Sequence, residues 1–241
     1  DSGLTWQTCY GPSPDTDVFG FWLDPHVSGR ILVGDRNGRQ VLSSENGGDT
    51  WMLKGTIPAT PYGFTVFSDL CGDPHDPNVV LVAAYPTYVS NKQHGYIWRS
   101  GDGGATWSAP SGTVQVRSWP LKRSSAGTIR GATFALNPLD PRTIYCVMGA
   151  QLMLSRDDGE TWTNVSVIPG VSKTNAFVVS PRDTHLMVAA VGTPDRIVRS
   201  TDGGLTWVQQ KTNTGDWLNK LSMIDHQHGW AVGDNGAAFT T

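Results

Sequence analysis

One eight-residue pattern, S-x-[DN]-x-G-x-T-W, occurs four times in the chain, at Ser44–Trp51, Ser100–Trp107, Ser155–Trp162 and Ser200–Trp207. Its fixed positions are Ser44, Asn46 and Trp51, then Ser100, Asp102 and Trp107, then Ser155, Asp157 and Trp162, then Ser200, Asp202 and Trp207. A fifth copy is split between the ends. The chain closes on Thr240-Thr241 and opens on Asp1-Ser-Gly-Leu-Thr-Trp6, so head to tail the ends read T-T-D-S-G-L-T-W. Successive motif tryptophans are 40 to 56 residues apart, counting across that join. A repeat of this length makes each unit one supersecondary element that buries its apolar surface against its neighbours.

The residue types in the pattern explain themselves as a turn. A short Asp or Asn acceptor bonds backbone N–H groups a few residues on. Ser or Thr supplies a second local side-chain bond. Glycine takes a positive φ without steric cost. The Trp is a large apolar anchor, worth roughly 4–6 kcal/mol if fully buried. Asn46 keeps an acceptor oxygen but loses the charge, so the first turn is expected to be the weakest.

Between the turns the chain divides into short β-like runs with Gly, Pro, Asn and Asp at the breaks. Arg36-Asn37-Gly38 and Asp234-Asn235-Gly236 read as hairpin turns. Asp24-Pro25 and Asp73-Pro74 end strands, because Pro cannot sit in a central ladder. No segment carries a helical stripe of useful length. Four short strands per unit, repeated radially, give an all-β fold: a five-bladed β-propeller of four-stranded antiparallel blades. Its blades fall at about residues 17–54, 62–108, 128–165, 175–210 and 217–241, with residues 5–10 as the amino-terminal strand completing the last blade. The whole chain, 1–241, reads as one domain.

The five motifs resemble the Asp-box, or bacterial neuraminidase repeat, of sialidases, xyloglucanase-type hydrolases and sortilin-type receptors. That resemblance implies that each box lies in the hairpin between the third and fourth strands of a blade, away from any catalytic centre. Asp1 and Trp6 would complete the fifth box. The run Gly229-Trp-Ala-Val-Gly-Asp-Asn-Gly236 also resembles repeats of the photosystem II assembly factor family, which are seven-bladed non-enzymatic binders. Sialidases use three arginines, a Tyr nucleophile with a Glu partner, and an R-I-P sequence. No R-I-P occurs here, and the only two glutamates, Glu45 and Glu160, sit inside the boxes.

Composition narrows the function. The net charge of −3 makes no case for nucleic acid or an anionic membrane surface. No apolar run is long enough to span a bilayer. Three cysteines, Cys9, Cys71 and Cys146, cannot all pair within the chain, and Cys146 lies in an apolar run expected to be buried and inert. His226-x-His228 has no third ligand at a fixed spacing, so no metal and no cofactor is expected.

In a propeller the first strand of each blade lines the channel, and its leading loop sits at the mouth opposite the boxes. That places Tyr62, Trp119, Arg130, Lys173, Asn175, Trp217 and Asn219 as candidate ligand-binding residues. Aromatic, amide and basic groups together suit stacking on, and hydrogen bonding to, a sugar. The expected role is a ligand-binding propeller that takes a glycan or docks a protein, a monomer or a module of a larger chain, extracellular or at the cell surface. The alternative is a glycan-active enzyme. A glycoside hydrolase needs two carboxyl groups flanking the scissile bond. With both glutamates in boxes, Asp17 and Asp216 are the candidate catalytic pair, and Asp69 is a third, nearer the far end of its strand.

Overall fold

A computed structural model describes residues 5, 7–10, 17–37, 39–59, 65–86, 95–108, 132–140, 142–169, 174–192, 195–212 and 215–241. Those residues form five antiparallel sheets. The first is β1 (Val18–Leu23), β2 (Ile31–Asp35), β3 (Gln40–Ser44) and β4 (Met52–Thr56). The second is β5 (Thr65–Gly72), β6 (Val80–Pro86) and β7 (Tyr96–Ser100). The third is β8 (Ala132–Leu136), β9 (Ile144–Met148), β10 (Gln151–Ser155) and β11 (Thr163–Val167). The fourth is β12 (Thr174–Val179), β13 (Met187–Gly192), β14 (Asp195–Ser200) and β15 (Val208–Gln209). The fifth is β16 (Leu218–Met223), β17 (Gly229–Gly233) and β18 (Ala238–Thr240).

Each sheet is a meander in which sequence neighbours pair. The leading strands lie side by side, β1 against β5, β5 against β8, β8 against β12 and β12 against β16. Among the described residues β16 and β1 share no comparable contact.

The core is laid down between sheets. Phe19, Leu32 and Val41 of the first sheet meet Phe67, Val80, Val82 and Trp98 of the second. Leu81, Ala83 and Ile97 on the reverse of the second sheet meet Phe134, Ile144, Cys146 and Met148 of the third. Strand β9 therefore buries all five of its residues, because a sheet with neighbours on both faces has no wet side. The outer sheets differ. Strand β17 alternates buried and exposed, since only one face is covered.

Four of the motifs fold into the same turn. In the third, the Ser155 hydroxyl donates to Asp157 at 2.8 Å and accepts the Gly159 amide at 2.9 Å. Asp157 in turn accepts the backbone amide and hydroxyl of Thr161 at 2.9 and 2.6 Å. Ser100 and Ser200 repeat the pattern, and their hydroxyls accept Gly104 and Gly204 amides at 2.8 Å. The hydrogen bonds from Thr106 and Thr206 hold the carboxyls of Asp102 and Asp202 down at about 2. Asn46 makes the corresponding bonds in the first turn without the charge. Its Oδ1 accepts Ser44 and Thr50 at 2.9 and 3.0 Å, and its amide donates to the Thr50 hydroxyl at 3.0 Å, so the ring of bonds closes with one polarity reversed.

The second, third and fourth turns each rest on the preceding sheet. The second turn packs Gly104 on Val41 and Lys54 of the first sheet. The fourth packs Gly204 on Leu152 of the third, and the Ser166 hydroxyl bonds the Gly204 carbonyl. The four indoles are half-buried rather than fully enclosed. Trp107 and Trp162 donate to the carbonyls of Gly104 and Gly159 at 3.0 and 3.1 Å. Half-burial reduces each anchor to roughly 2–3 kcal/mol.

A Ser155→Ala variant is expected to lose about 1–3 kcal/mol, because the buried Gly159 amide loses its acceptor. Urea unfolding measures this, and an unchanged midpoint would show that the turn does not hold the hairpin.

Two sequence expectations need correction. The fourth strand of the second sheet is reduced, among the described residues, to the single bridge Arg99–Ser108. Residues 7–9 form no strand beside β18, and the fifth sheet has three strands. Instead the Cys9 carbonyl accepts the Trp51 indole at 2.7 Å, and the Tyr10 ring lies 5.1 Å from that of Trp51. Asp1 and Trp6 lie outside the described residues.

Candidate functional site

Strand direction sorts the side chains onto two ends. Each leading strand begins at the end where its second and third strands are joined, and finishes at the end carrying the motif turns. Asp17, Arg36 and Asn37 therefore share one end with Asp216, Trp217 and the 3-10 turn Asp234–Gly236. Glu45 and Glu160 share the other, where each lies within 4.0 Å of an arginine, Arg30 and Arg99.

At the first end, the residues are tied to their own hairpins. Asp17 is ion-paired with Arg36, whose Nε and Nη2 also donate to the Phe67 carbonyl of the next sheet at 3.2 and 3.0 Å. Asn235 donates to Asp216 at 3.0 Å, and Asn219 donates to Asp234 at 2.6 Å. The Trp217 carbonyl accepts the Asp234 amide at 2.8 Å. This framework leaves Trp217 half-buried beside the exposed Asp234 and Asn235. Asp17 and Asp216 are thus each engaged within their own sheet. Tyr62, Trp119, Arg130 and Lys173 lie outside the described residues.

Further along the axis, four leading strands carry a bulge at corresponding places, between Val18 and Gly20, Phe67 and Asp69, Thr174 and Ala176, and Leu218 and Lys220. A bulge re-aims the side chains that follow it. The bulged residues include the candidates Asn175 and Asn219. In the second sheet the residue after the bulge is Asp69. Its carboxylate accepts the Phe134 amide of the neighbouring sheet at 2.8 Å and the Leu70 amide at 3.0 Å. Burial among the leading strands raises its pKa to about 6, against the lowering pull of those two amides, of Lys220 and of Thr133. Asp69, the third-choice carboxyl in the sequence, is, among the described residues, the carboxyl whose pKa is raised. The signal that could have promoted it is its place one residue beyond a bulge, which becomes visible only when strands are paired.

Cys71 and Cys146 are free, and burial pushes both thiols well up. Cys9 is free and exposed. His228 is bonded to Asp225 at 2.8 Å. Among the described residues, no three His, Cys, Asp or Glu side chains are gathered to hold a metal ion.

The architecture is that of a β-propeller, the class to which the similar solved structures belong. An ancestral GH74 enzyme superposes with a TM-score of 0.66 at 14% identity, over 92% of this chain and 30% of that one. YCF48 from Cyanidioschyzon merolae superposes with a TM-score of 0.58 at 18% identity, over 95% of this chain and 68% of that one. In sequence, the chain is 29% identical over 140 residues to a probable oligoxyloglucan-reducing end-specific xyloglucanase of Neosartorya fischeri, covering 56% of this chain and 16% of that protein. It is 29% identical over 187 residues to a xyloglucanase of a Paenibacillus species, covering 65% of this chain and 17% of that protein. The chain thus spans about a sixth of the length of these relatives. No family profile matches it.

Proposed function

We propose that this chain is a propeller of a glycan-active protein that acts on a β-glucan of the xyloglucan kind. The observation that carries this reading is the sequence similarity to xyloglucanases across more than half of the chain. The expected preference for a purely binding role therefore gives way to its alternative. The fold alone does not decide between these roles, because one architecture serves many functions.

In this reading the five sheets are five blades, their motif turns are Asp boxes, and the glucan lies across the opposite mouth. Trp217 offers a stacking face, and Asn175, Asn219, Asp216 and Asp17 offer hydrogen bonds to sugar hydroxyls. Tyr62, Trp119, Arg130 and Lys173 precede the other leading strands and belong to the same proposed surface. Asp69 supplies a general acid, since a carboxyl raised towards neutrality can hold and deliver a proton at working pH. Asp17 and Asp216 are the candidate second carboxylates. Action on such a polysaccharide fits an extracellular location.

The test is release of reducing ends from xyloglucan by the purified chain, with binding followed by calorimetry. Release, or binding that xylose-free cellulose oligosaccharides do not match, is the expected result. The absence of both release and binding at millimolar oligosaccharide would overturn the reading.

A further inference from the structure

The bulges in the leading strands set four residues at corresponding places along the axis. Pairing resumes just past each bulge, Gly20 with Gly34, Asp69 with Ala83, Ala176 with Ala190 and Lys220 with Val232. Gly20, Asp69, Ala176 and Lys220 are therefore equivalent positions on β1, β5, β12 and β16. Gly20 and Ala176 carry little or no side chain. Asp69 and Lys220 carry opposite charges.

A side chain at this position is aimed at the next leading strand. On β1, a Cβ at Gly20 would lie 2.7 Å from the Leu70 amide nitrogen of β5. On β5, the Asp69 carboxylate accepts the Phe134 amide of β8 at 2.8 Å. On β12, Ala176 packs with Leu218 and Leu221 of β16. On β16, Lys220 is exposed, and a lysine carries its charge on a flexible four-carbon stem. Gly20 and Ala176 put no long side chain between that stem and Asp69.

Among the described residues, the groups facing Asp69 come from several strands. Two thiols lie near it, Cys71 on its own strand and Cys146 on β9, and burial keeps both protonated. β8 contributes the Phe134 amide and the Thr133 hydroxyl, which are uncharged. Arg36 of the first sheet binds the Phe67 carbonyl, but its charge is met by Asp17. Asp73, two residues beyond Cys71, is taken up by the His75 and Asp76 amides. Burial raises the Asp69 carboxyl, while the Phe134 and Leu70 amides and then Lys220 pull it down. Lys220 brings the one full charge to that balance.

We propose that Lys220 is a positioning residue for Asp69: its ammonium group faces the carboxyl across the axis and sets the pH at which that carboxyl gives up its proton. The consequence for hydrolysis rests on the function proposed above, whereas the coupling of the two charges does not. A compact charge on a flexible stem suits the role, because it can attend the carboxyl in both protonation states without a fixed fork of hydrogen bonds.

Carbon NMR titration of the Asp69 carboxyl tests it in the parent, Lys220→Met and Lys220→Arg. Removing the positive charge favours the protonated acid, so the Lys220→Met midpoint is expected about half a pH unit or more above the parent. Lys220→Arg should stay near the parent, and about 1 M salt should narrow the gap between the parent and Lys220→Met. Lys220 is exposed, circular dichroism checks that the variants fold, and Lys220→Gln replaces a Lys220→Met protein that does not. On xyloglucan, the alkaline limb of the rate profile should move up with the midpoint while KM holds. A midpoint unmoved when the charge is removed, or moved as far in Lys220→Arg, would overturn the inference. A midpoint that moves as expected in a chain that does not hydrolyse xyloglucan supports the coupling and counts against the hydrolytic role of Asp69 alone.

Discussion

A Gly55→Val variant is expected to lose about 3 kcal/mol or more of stability, measured as a fall in the urea midpoint. The reason is the tight seat of the second turn on the first sheet. A Cβ on Gly55 would lie 2.2 Å from the Gly104 carbonyl oxygen and 2.5 Å from that of Ala105. Both are backbone atoms, and the turn that carries them is fixed by Ser100 and Asp102. A side chain cannot swing aside, so the turn must lift off the sheet or the sheet must bend. Two controls separate this from the general cost of replacing glycine. Gly47 has open space around it but a φ of +74°, so Gly47→Ala should cost about 1 kcal/mol from backbone strain alone. Gly215 has open space and no such φ, so Gly215→Ala should be near neutral. A Gly55→Val protein as stable as the Gly215 control would mean that the turns do not clamp adjacent sheets.

If the chain acts on xyloglucan as proposed, an Asp69→Asn variant is expected to be about 100-fold less active, and its stability relative to the parent is expected to rise from acid to neutral pH. The two effects share one cause. A carboxyl whose pKa is raised from 3.8 to about 6 holds its proton more tightly folded than unfolded. Ionisation between about pH 4 and pH 6 therefore weakens the fold, a penalty complete above about pH 6 and absent below about pH 4. At neutral pH it amounts to about 2–3 kcal/mol. In the variant this is offset by about 1–3 kcal/mol, because the single carbonyl oxygen of Asn cannot accept both the Leu70 and Phe134 amides, which bond different oxygens of the carboxylate. Asparagine stays neutral, so its stability relative to the parent should rise with pH through that window and stay constant outside it. Full activity in Asp69→Asn would leave Asp69 as a brace between the second and third sheets, through its bond to the Phe134 amide.

The turns were readable in the sequence because all their bonds are local. Ser155, Asp157, Gly159 and Thr161 lie within seven residues and specify one another. Asn46 shows the limit even there, since the compensating bond from its amide depends on how the Thr50 hydroxyl points. The end to which Asp17, Asp216 and Trp217 belong also followed from strand order alone. The glutamates fell on the turn-bearing end as expected, and arginines there hold both.

Other features depend on contacts between sheets, which no local pattern records. Asp69 earned little weight because its enclosure comes from β8 and from the bulge that re-aims it. The extent to which the motif tryptophans are buried was not readable either, since it depends on how neighbouring sheets pack around them. The amino-terminal residues looked like a fourth strand for the fifth sheet, yet Cys9 and Tyr10 lie on Trp51 of the first.

The indole N–H signals of the tryptophans test the whole arrangement at once. On titration with a xyloglucan oligosaccharide, the Trp217 indole should shift, while those of Trp51, Trp107, Trp162 and Trp207 stay in place at the opposite end. Shifts confined to those four, or none at saturating sugar, would contradict a glucan site at the mouth facing away from the turns.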